Sequence, residues 1–379
     1  MGFDTNPTDR RRQTRSSIYH YIYDAKGFCS RQSLARELSL SLPTVYQNLS
    51  ELMAAGLVRD SGEQKPTGGR KASGLSIVPE ARVAVGISVT EHHLRLAAAD
   101  LLLNELAYQE VDSIPIVRFA DMGGLIARVL DKFLDRFSIE REKLLGVGIA
   151  LPAVMSPDSR YITAAPTLRL KDSSLEGLTD SIPYPTYVEN DATSGGYAEL
   201  FVREGNRNMA YLSLENGIGG AILFDGAPYP GDNRRSAEFG HMCLEPGGLS
   251  CSCGAQGCLE AYCSTRRIRG AFGVSLEEFF HRLERREPGW REYEALWDNM
   301  LRHLAIGINN IRLSLDCDVV LGGELSEFLS PYLPRLREYV AGLNRFESDA
   351  SYLCLSTLRR HTVPLGVALH FIVDFLEHI

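Results

Sequence analysis

Between positions 241 and 258 the chain reads HMCLEPGGLSCSCGAQGC, placing His241, Cys251, Cys253 and Cys258 in one short stretch with Gly247, Gly248, Gly254 and Gly257 between them. Three thiols and an imidazole make the four-ligand set of a closed tetrahedral zinc site, and glycines permit the tight turns such spacing needs. Four protein ligands leave no open position for water, so the expected role of Zn2+ is to pin a loop, not to make hydroxide. Cys243 and Cys263 stand close enough in sequence to serve as spare ligands, whereas Cys29, Cys317 and Cys354 are scattered. That distribution argues against a disulfide framework. The competing reading of the cluster is burial of small apolar thiols.

A chain of 379 residues, 44% of them hydrophobic, is long enough for two or three domains with a sizeable core. No apolar run reaches the length of a membrane helix, and the N-terminus opens on Asp4, Asp9 and an arginine cluster instead of an apolar signal segment. The expected location is the cytoplasm, with no membrane partner. The net charge of −8 is unevenly spread. Residues 1–75 carry eleven Lys and Arg against seven Asp and Glu, while the remainder carries 29 against 41. Only the basic first segment suits nucleic acid, because the acidic body repels it.

That first segment, residues 1–78, carries the pattern of a small helical unit. Ile18, Tyr19, Ile22 and Tyr23 recur at helical spacing, Ser30 is placed to cap a second helix, and Leu42-Pro43 opens a third that buries Val45, Leu49, Leu52 and Met53. The third helix is expected to show Thr44, Gln47 and Asn48 to solvent. Two short strands at 57–58 and 75–78 flank a loop containing Gly68, Gly69, Arg70 and Lys71. Three helices and a basic two-stranded wing are the layout of a winged helix-turn-helix. Thr44, Gln47 and Asn48 are then candidates for base edges in the major groove, and Gly68, Gly69, Arg70 and Lys71 for phosphates or a narrow minor groove. The alternative is a protein-interaction module with a solvated loop.

After Pro79 strands and helices alternate, which predicts an α/β body. Strands are expected at 83–89, 94–99, 145–150, 186–188, 209–214, 221–224 and 319–321, and helices at 125–137, 276–283, 290–313 and 364–376. The repeated signals suggest two related halves. The first lobe is expected over 79–190, joined by the C-terminal helix 363–379, and the second over 191–362.

Several motifs resemble the ROK family of sugar kinases and sugar-responsive repressors. They are Glu238-Phe239-Gly240-His241 followed by CSCGAQGCLE, Glu189-Asn190-Asp191-Ala192, Asn216-Gly217-Ile218-Gly219-Gly220 and Val320-Leu321-Gly322-Gly323. The resemblance spans roughly 82–379 and implies a two-lobed actin-like body with a sugar cleft. A winged helix in front matches the regulators of the family. By resemblance, Asn190, Asp191, Glu238, His241 and Glu260 are sugar contacts, with His241 turning different ring nitrogens to sugar and metal. Thr167 stands where the family often carries a sugar-contacting asparagine, which alters the hydrogen bonds available to the ligand.

The kinases of the family resemble one another in an Asp-x-Gly-Gly-Thr turn that cradles ATP phosphates. Here the corresponding stretch is Ser88-Val89-Thr90-Glu91-His92, without the aspartate or the glycines, and Glu215-Asn216 replaces the common Gly-Thr of a second phosphate loop. Phosphoryl transfer rests on positioning and charge stabilisation, so loss of both cradles implies a protein that is not an enzyme. The expected function is a sugar-responsive transcriptional repressor of carbohydrate-metabolism genes. It would bind a sugar or sugar phosphate without phosphorylating it, and act as a homodimer or homotetramer on an inverted-repeat operator in double-stranded DNA. A bifunctional ATP-dependent sugar kinase with a DNA-binding module is the alternative, and a body that contacts another protein is a third reading.

Overall fold

The computed structural model describes residues 7–25, 29–62, 74–90, 93–112, 119–203 and 207–379. The chain opens with α1 (Pro7–Asp24), whose Ile18, Tyr19 and Ile22 face inward. Ser30 starts α2 (Arg31–Glu37) with a reciprocal capping box: its hydroxyl accepts the Ser33 N–H, and Ser33 Oγ accepts the Ser30 N–H. An N-cap of this type contributes about 1 kcal/mol. Ser41 caps α3 (Leu42–Ala54), with Pro43 in the first turn. β1 (Val58–Asp60) and β2 (Leu75–Ile77) then pair antiparallel, Val58 opposite Ile77.

One expectation for this unit fails. Asn48 is buried, its amide donating to the Thr44 carbonyl at 2.9 Å, so it does not face solvent. Positions 45, 48, 49 and 52 lie on one helical face, which places Asn48 on the same inward stripe as Val45, Leu49 and Leu52. Gly68, Gly69, Arg70 and Lys71 of the wing lie outside the described residues.

The body begins with β3 (Val83–Val89), β4 (His93–Asp100), β5 (Glu105–Asp112), α4 (Phe119–Arg136) and β6 (Leu144–Leu151). A small antiparallel sheet of β7 (Val154–Met155), β8 (Tyr161–Ala165) and β9 (Leu170–Ser174) follows, then α5 (Glu176–Thr179), β10 (Thr186–Asn190) and α6 (Asp191–Val202). The first large sheet has the order β10-β6-β3-β4-β5, with β3, β6 and β10 parallel and β4 and β5 antiparallel.

The second sheet is built from β11 (Met209–Leu214), β12 (Ile218–Phe224) and β13 (Ala227–Pro228), with two later strands. Between them come α7 (Leu259–Cys263), α8 (Thr265–Phe272), α9 (Leu276–Arg285) and α10 (Trp290–Leu315), then β14 (Asp318–Gly322), α11 (Leu333–Leu343) and β15 (Leu353–Leu355). Its order, β13-β12-β11-β14-β15, repeats the first: an antiparallel meander on one side of the leading strand and two parallel strands on the other. The two lobes therefore share one topology, in the pairing order that periodicity alone could not supply.

α12 (Thr362–His378) closes the chain on the first lobe. Gly86 and Gly148 let it approach the sheet: a Cβ on Gly86 would stand 1.7 Å from the Pro364 carbonyl oxygen, and one on Gly148 would stand 2.3 Å from that of Val367. Its far side meets the N-terminal unit, where Ile18, Tyr19, Leu34, Leu49 and Leu75 share one apolar core with Ala97, Leu101, Leu369, Ile372 and Leu376. The Tyr23 hydroxyl donates to the Leu101 carbonyl at 3.0 Å, a His20 ring nitrogen lies 3.0 Å from the Leu376 carbonyl, and Arg12 donates to the His378 carbonyl at 2.8 Å. The winged unit is thus seated on the first lobe instead of trailing from it. Among the described residues no helix is long and apolar enough to cross a membrane.

Candidate functional site

The loop between β13 and α7 gathers the predicted metal ligands. His241 Nδ1 is 3.7 Å from Cys251 Sγ, Cys253 Sγ is 3.8 Å from Cys258 Sγ, and all four ligand atoms lie within 4.8 Å of one another. Metal–sulfur bonds of about 2.3 Å in a tetrahedron require sulfur separations of about 3.8 Å, whereas a disulfide requires about 2.05 Å. The donor set therefore fits a tetrahedral cation. Burial pushes the Cys251 thiol up and the Cys258 thiol to about 12, and a bound cation reverses that by holding the sulfurs as thiolates. The backbone N–H of Ala255 already draws Cys253 down.

The two spare cysteines stand apart from this cluster: Cys263 Sγ points to the Met300 carbonyl at 3.4 Å, and Cys243 Sγ to that of Gln256 at 3.7 Å. Glu245, not foreseen from the sequence, anchors the loop on α10. It accepts the Tyr262 hydroxyl at 2.8 Å and faces a His303 ring nitrogen at 3.0 Å, while the Tyr262 and His303 rings stack 4.1 Å apart.

This loop adjoins the other candidate residues. His241 turns Nε2 toward Glu238, with Oε2 4.0 Å away, so the ring presents one nitrogen to the sulfurs and the other to a carboxylate. Glu260 is buried and spends its oxygens on the chain: Oε2 accepts the Ile218 N–H at 3.1 Å and Oε1 accepts the Ser252 hydroxyl at 2.6 Å. It thereby ties the cysteine loop to the glycine loop 217–220. Asn190 ends β10 and caps α6, its Oδ1 accepting the Thr193 N–H at 2.9 Å and its Nδ2 donating to the Ala153 carbonyl at 3.1 Å. Asp191 follows as the first residue of α6. Burial pushes its carboxyl up to about 6, and the charge on Glu238 adds to the shift. Thr167 sits half-buried in the turn that joins β8 to β9, on a hairpin separate from α6. A cross-lobe ion pair escaped the sequence reading: Arg234 reaches Glu189 at 2.7 Å, and Tyr187 donates to the same oxygen at 2.7 Å.

The two sequence departures take structural form at the ends of β3 and β11. Where β3 and β4 adjoin, the Thr90 N–H donates to the His93 carbonyl at 3.0 Å and Thr90 Oγ1 accepts the His93 N–H at 3.1 Å. The Thr90 and His93 amides are thus spent on the His93 carbonyl and the Thr90 hydroxyl, and Ser88 is buried in the strand. Glu91 lies outside the described residues. Glu215 follows β11, and its Oε1 accepts the N–H of Glu324, the residue after Gly322-Gly323, at 3.1 Å. Burial pushes Glu215 up to about 7, opposed by the Arg95 guanidinium and helped by the charges of Glu324 and Asp191.

These shifts predict a pH dependence. Carboxyls whose folded values exceed their unfolded ones bind more protons in the native state, so stability is greatest below the unfolded values and declines as pH rises through the folded ones. Between their ordinary values of about 4 and their folded values of about 6 and about 7, Asp191 and Glu215 should therefore give a stability that falls with rising pH, against which half-buried His370, held low by desolvation, works in the opposite sense. Glu215→Gln should flatten the fall in urea unfolding titrations. An unchanged slope would show that Glu215 is ionised alike in both states.

On the N-terminal unit, Gln47 and Ser50 face solvent, Thr44 is half-buried, and Tyr46 is 55% exposed with the Arg31 guanidinium 5.7 Å from its ring centroid. Tyr46 was missed because an aromatic in an amphipathic helix reads as core. Residues 11–59 match the description "Winged helix-turn-helix DNA-binding", and residues 84–368 match the ROK family over most of the chain.

The chain belongs to the ROK family. It is 26% identical to a protein named xylose repressor from Bacillus subtilis over 364 residues, covering 92% of each chain. It is 27% identical over 265 residues to NagC of Escherichia coli, named a DNA-binding transcriptional dual regulator, covering 69% of this chain and 64% of that one. A solved ROK family transcriptional regulator, described as a homolog of the E. coli MLC protein, superposes with a TM-score of 0.75 at 20% identity over 97% of both chains. A ROK glucokinase from Streptomyces griseus, solved with glucose and AMPPNP, matches with a TM-score of 0.64 at 20% identity over 76% of this chain and 98% of its own. The fold is a winged helix-turn-helix followed by the two-lobed, actin-like ROK body. Repressor and kinase share that body, so function rests on the side chains in the cleft.

Proposed function

We propose that this chain is a sugar-responsive transcriptional repressor whose body binds a sugar or sugar phosphate without phosphorylating it. The observation that carries this reading is a winged helix-turn-helix seated on a ROK body whose Thr90 and His93 amides are paired internally and whose second phosphate loop holds Glu215. The similarity to a xylose repressor along 92% of the chain supports it. Thr167, Asn190, Asp191, Glu238, His241 and Glu260 serve as the sugar-binding set. Carboxylates accept the hydroxyl protons of a sugar, and an amide both donates and accepts. His241, Cys251, Cys253 and Cys258 hold a structural zinc that fixes Glu238 and Glu260. Thr44 and Gln47 read bases, and the wing residues Gly68, Gly69, Arg70 and Lys71 contact the backbone or minor groove of an inverted-repeat operator bound by a homodimer or homotetramer.

The chain divides for this purpose at 1–78, 79–190 with 363–379, and 191–362. A route from ligand to DNA follows that division. Asp191 opens α6, α6 packs along α12, and the last turn of α12 receives His20 and Arg12 of α1. A sugar that closes the cleft then re-aims the pair of recognition helices.

The test is a thermal-shift screen of monosaccharides and sugar phosphates on the full chain, followed by operator titration. A ligand at 100 times its dissociation constant stabilises the fold by about 2.7 kcal/mol, and the same compound should change operator affinity. No stabilisation by any sugar moves the reading to a protein partner. The kinase alternative draws on Asp191, whose raised carboxyl suits a general base near neutral pH. It predicts ATP-dependent turnover on the order of 1 s⁻¹ with the sugar found by the screen, whereas the repressor reading predicts none.

A further inference from the structure

The cleft narrows the chemical class of the ligand, an inference that rests on the sugar-cleft reading above. Its acidic groups come from both sides of the glycine loop. Asp191 starts α6, Glu215 precedes the loop, a Cβ on Gly217 would stand 2.8 Å from Glu260 Oε2, and Glu238 is the residue whose charge acts on Asp191. At the end where a phosphate loop would otherwise lie, the Glu324 N–H that follows Gly322-Gly323 already donates to the Glu215 carboxylate at 3.1 Å. A side-chain carboxylate thus occupies the amide that a phosphate oxygen would take.

Among the described residues, three arginines near this end are already paired with carboxylates. Arg95 Nε donates to Glu110 Oε1 at 3.0 Å and its charge also acts on Glu215. Arg269 makes two bonds of 3.0 Å to the carboxylate of Glu324, and Arg360 makes two, of 2.6 and 3.0 Å, to that of Glu327. A phosphate monoester carries a charge of about −1.5 to −2 at neutral pH and needs unpaired donors or cations. Here it would meet Glu215 and Asp191, both of which the site already holds well above the usual carboxylate range. An uncharged sugar meets no such opposition, since its hydroxyls donate to the same carboxylates.

We propose that the effector is an uncharged sugar and that Glu215, seated at the phosphate end of the cleft, excludes sugar phosphates.

Isothermal titration calorimetry on the full chain tests this with a panel of aldoses and N-acetylated amino sugars, each beside its terminal phosphomonoester. The expected result is heat of binding for an uncharged sugar and none for its phosphate at the same concentration. At about pH 8, above the folded value of Glu215, Glu215→Gln keeps the shape and removes the charge, so it should shift the preference toward the phosphate by at least about tenfold. Binding of a phosphomonoester as tightly as its parent sugar overturns the inference and leaves the sugar cleft standing. An unchanged preference in Glu215→Gln overturns the role of Glu215, provided the variant unfolds at the wild-type temperature. Should its unfolding temperature fall, the wild-type comparison of sugar with phosphate still decides. Binding of neither class overturns the sugar-cleft reading and this inference together.

Discussion

Replacing Cys253 with serine is expected to remove bound zinc from the purified protein and to lower its stability on the order of 3 kcal/mol, because metal-binding free energy is folding free energy for a loop that short. The loss should not stay local. Cys253 stands 3.8 Å from Cys258, Cys258 precedes α7, and Glu260 in α7 accepts the N–H of Ile218 and the hydroxyl of Ser252. Amide exchange should therefore quicken at Ile218 in the glycine loop as well as through residues 247–258, and sugar affinity should fall with it. Metal analysis of the native protein should find one zinc per chain. Cys354→Ser, far from the cluster in sequence and absent from it in space, should keep the metal. Native protein free of zinc, or a Cys253 variant with unaltered metal content, would remove the site.

The second large effect concerns DNA. Gln47→Ala should weaken binding to the cognate operator by about 1–3 kcal/mol and relax base preference at one position in each half-site. Asn48→Ala should leave base preference unchanged, since its side chain is turned inward onto the Thr44 carbonyl. Arg70→Ala should weaken binding with a cost that depends on flanking A·T content and little change in major-groove preference. Selection of bound sequences from a random pool, then titration at fixed salt, measures all three. A symmetric motif is expected, because two-fold protein symmetry demands matching half-sites. Equal affinity of wild type and Gln47→Ala would show that another face of the unit reads the bases.

Where local chemistry dictates structure, the sequence was sufficient. The strands Val83–Val89 and Met209–Leu214, the Ser30 cap and the Cys/His cluster all appear where periodicity, capping and ligand spacing place them. β5 did not show itself, because Glu105, Gln109, Glu110 and Asp112 erase the apolar alternation of a strand at the sheet edge. α4 begins at Phe119, six residues before the expected start at 125, and buries Ile126 and Leu130 beside Phe133 and Leu134.

α6 illustrates the remaining gap. Gly195-Gly196 lies in its interior, where local propensity disfavours a helix, yet a Cβ at Gly195 would stand 3.1 Å from the Tyr211 ring and one at Gly196 2.9 Å from the Ala221 Cβ. The helix forms because packing against β11 and β12 demands residues that thin. The same holds for the Glu189–Arg234 pair and the Glu215–Glu324 contact: each depends on which surfaces meet across distant parts of the chain. Backbone preferences and ligand spacing act over a few residues and can be read along the chain. Burial and charge pairing arise between segments that only folding brings together.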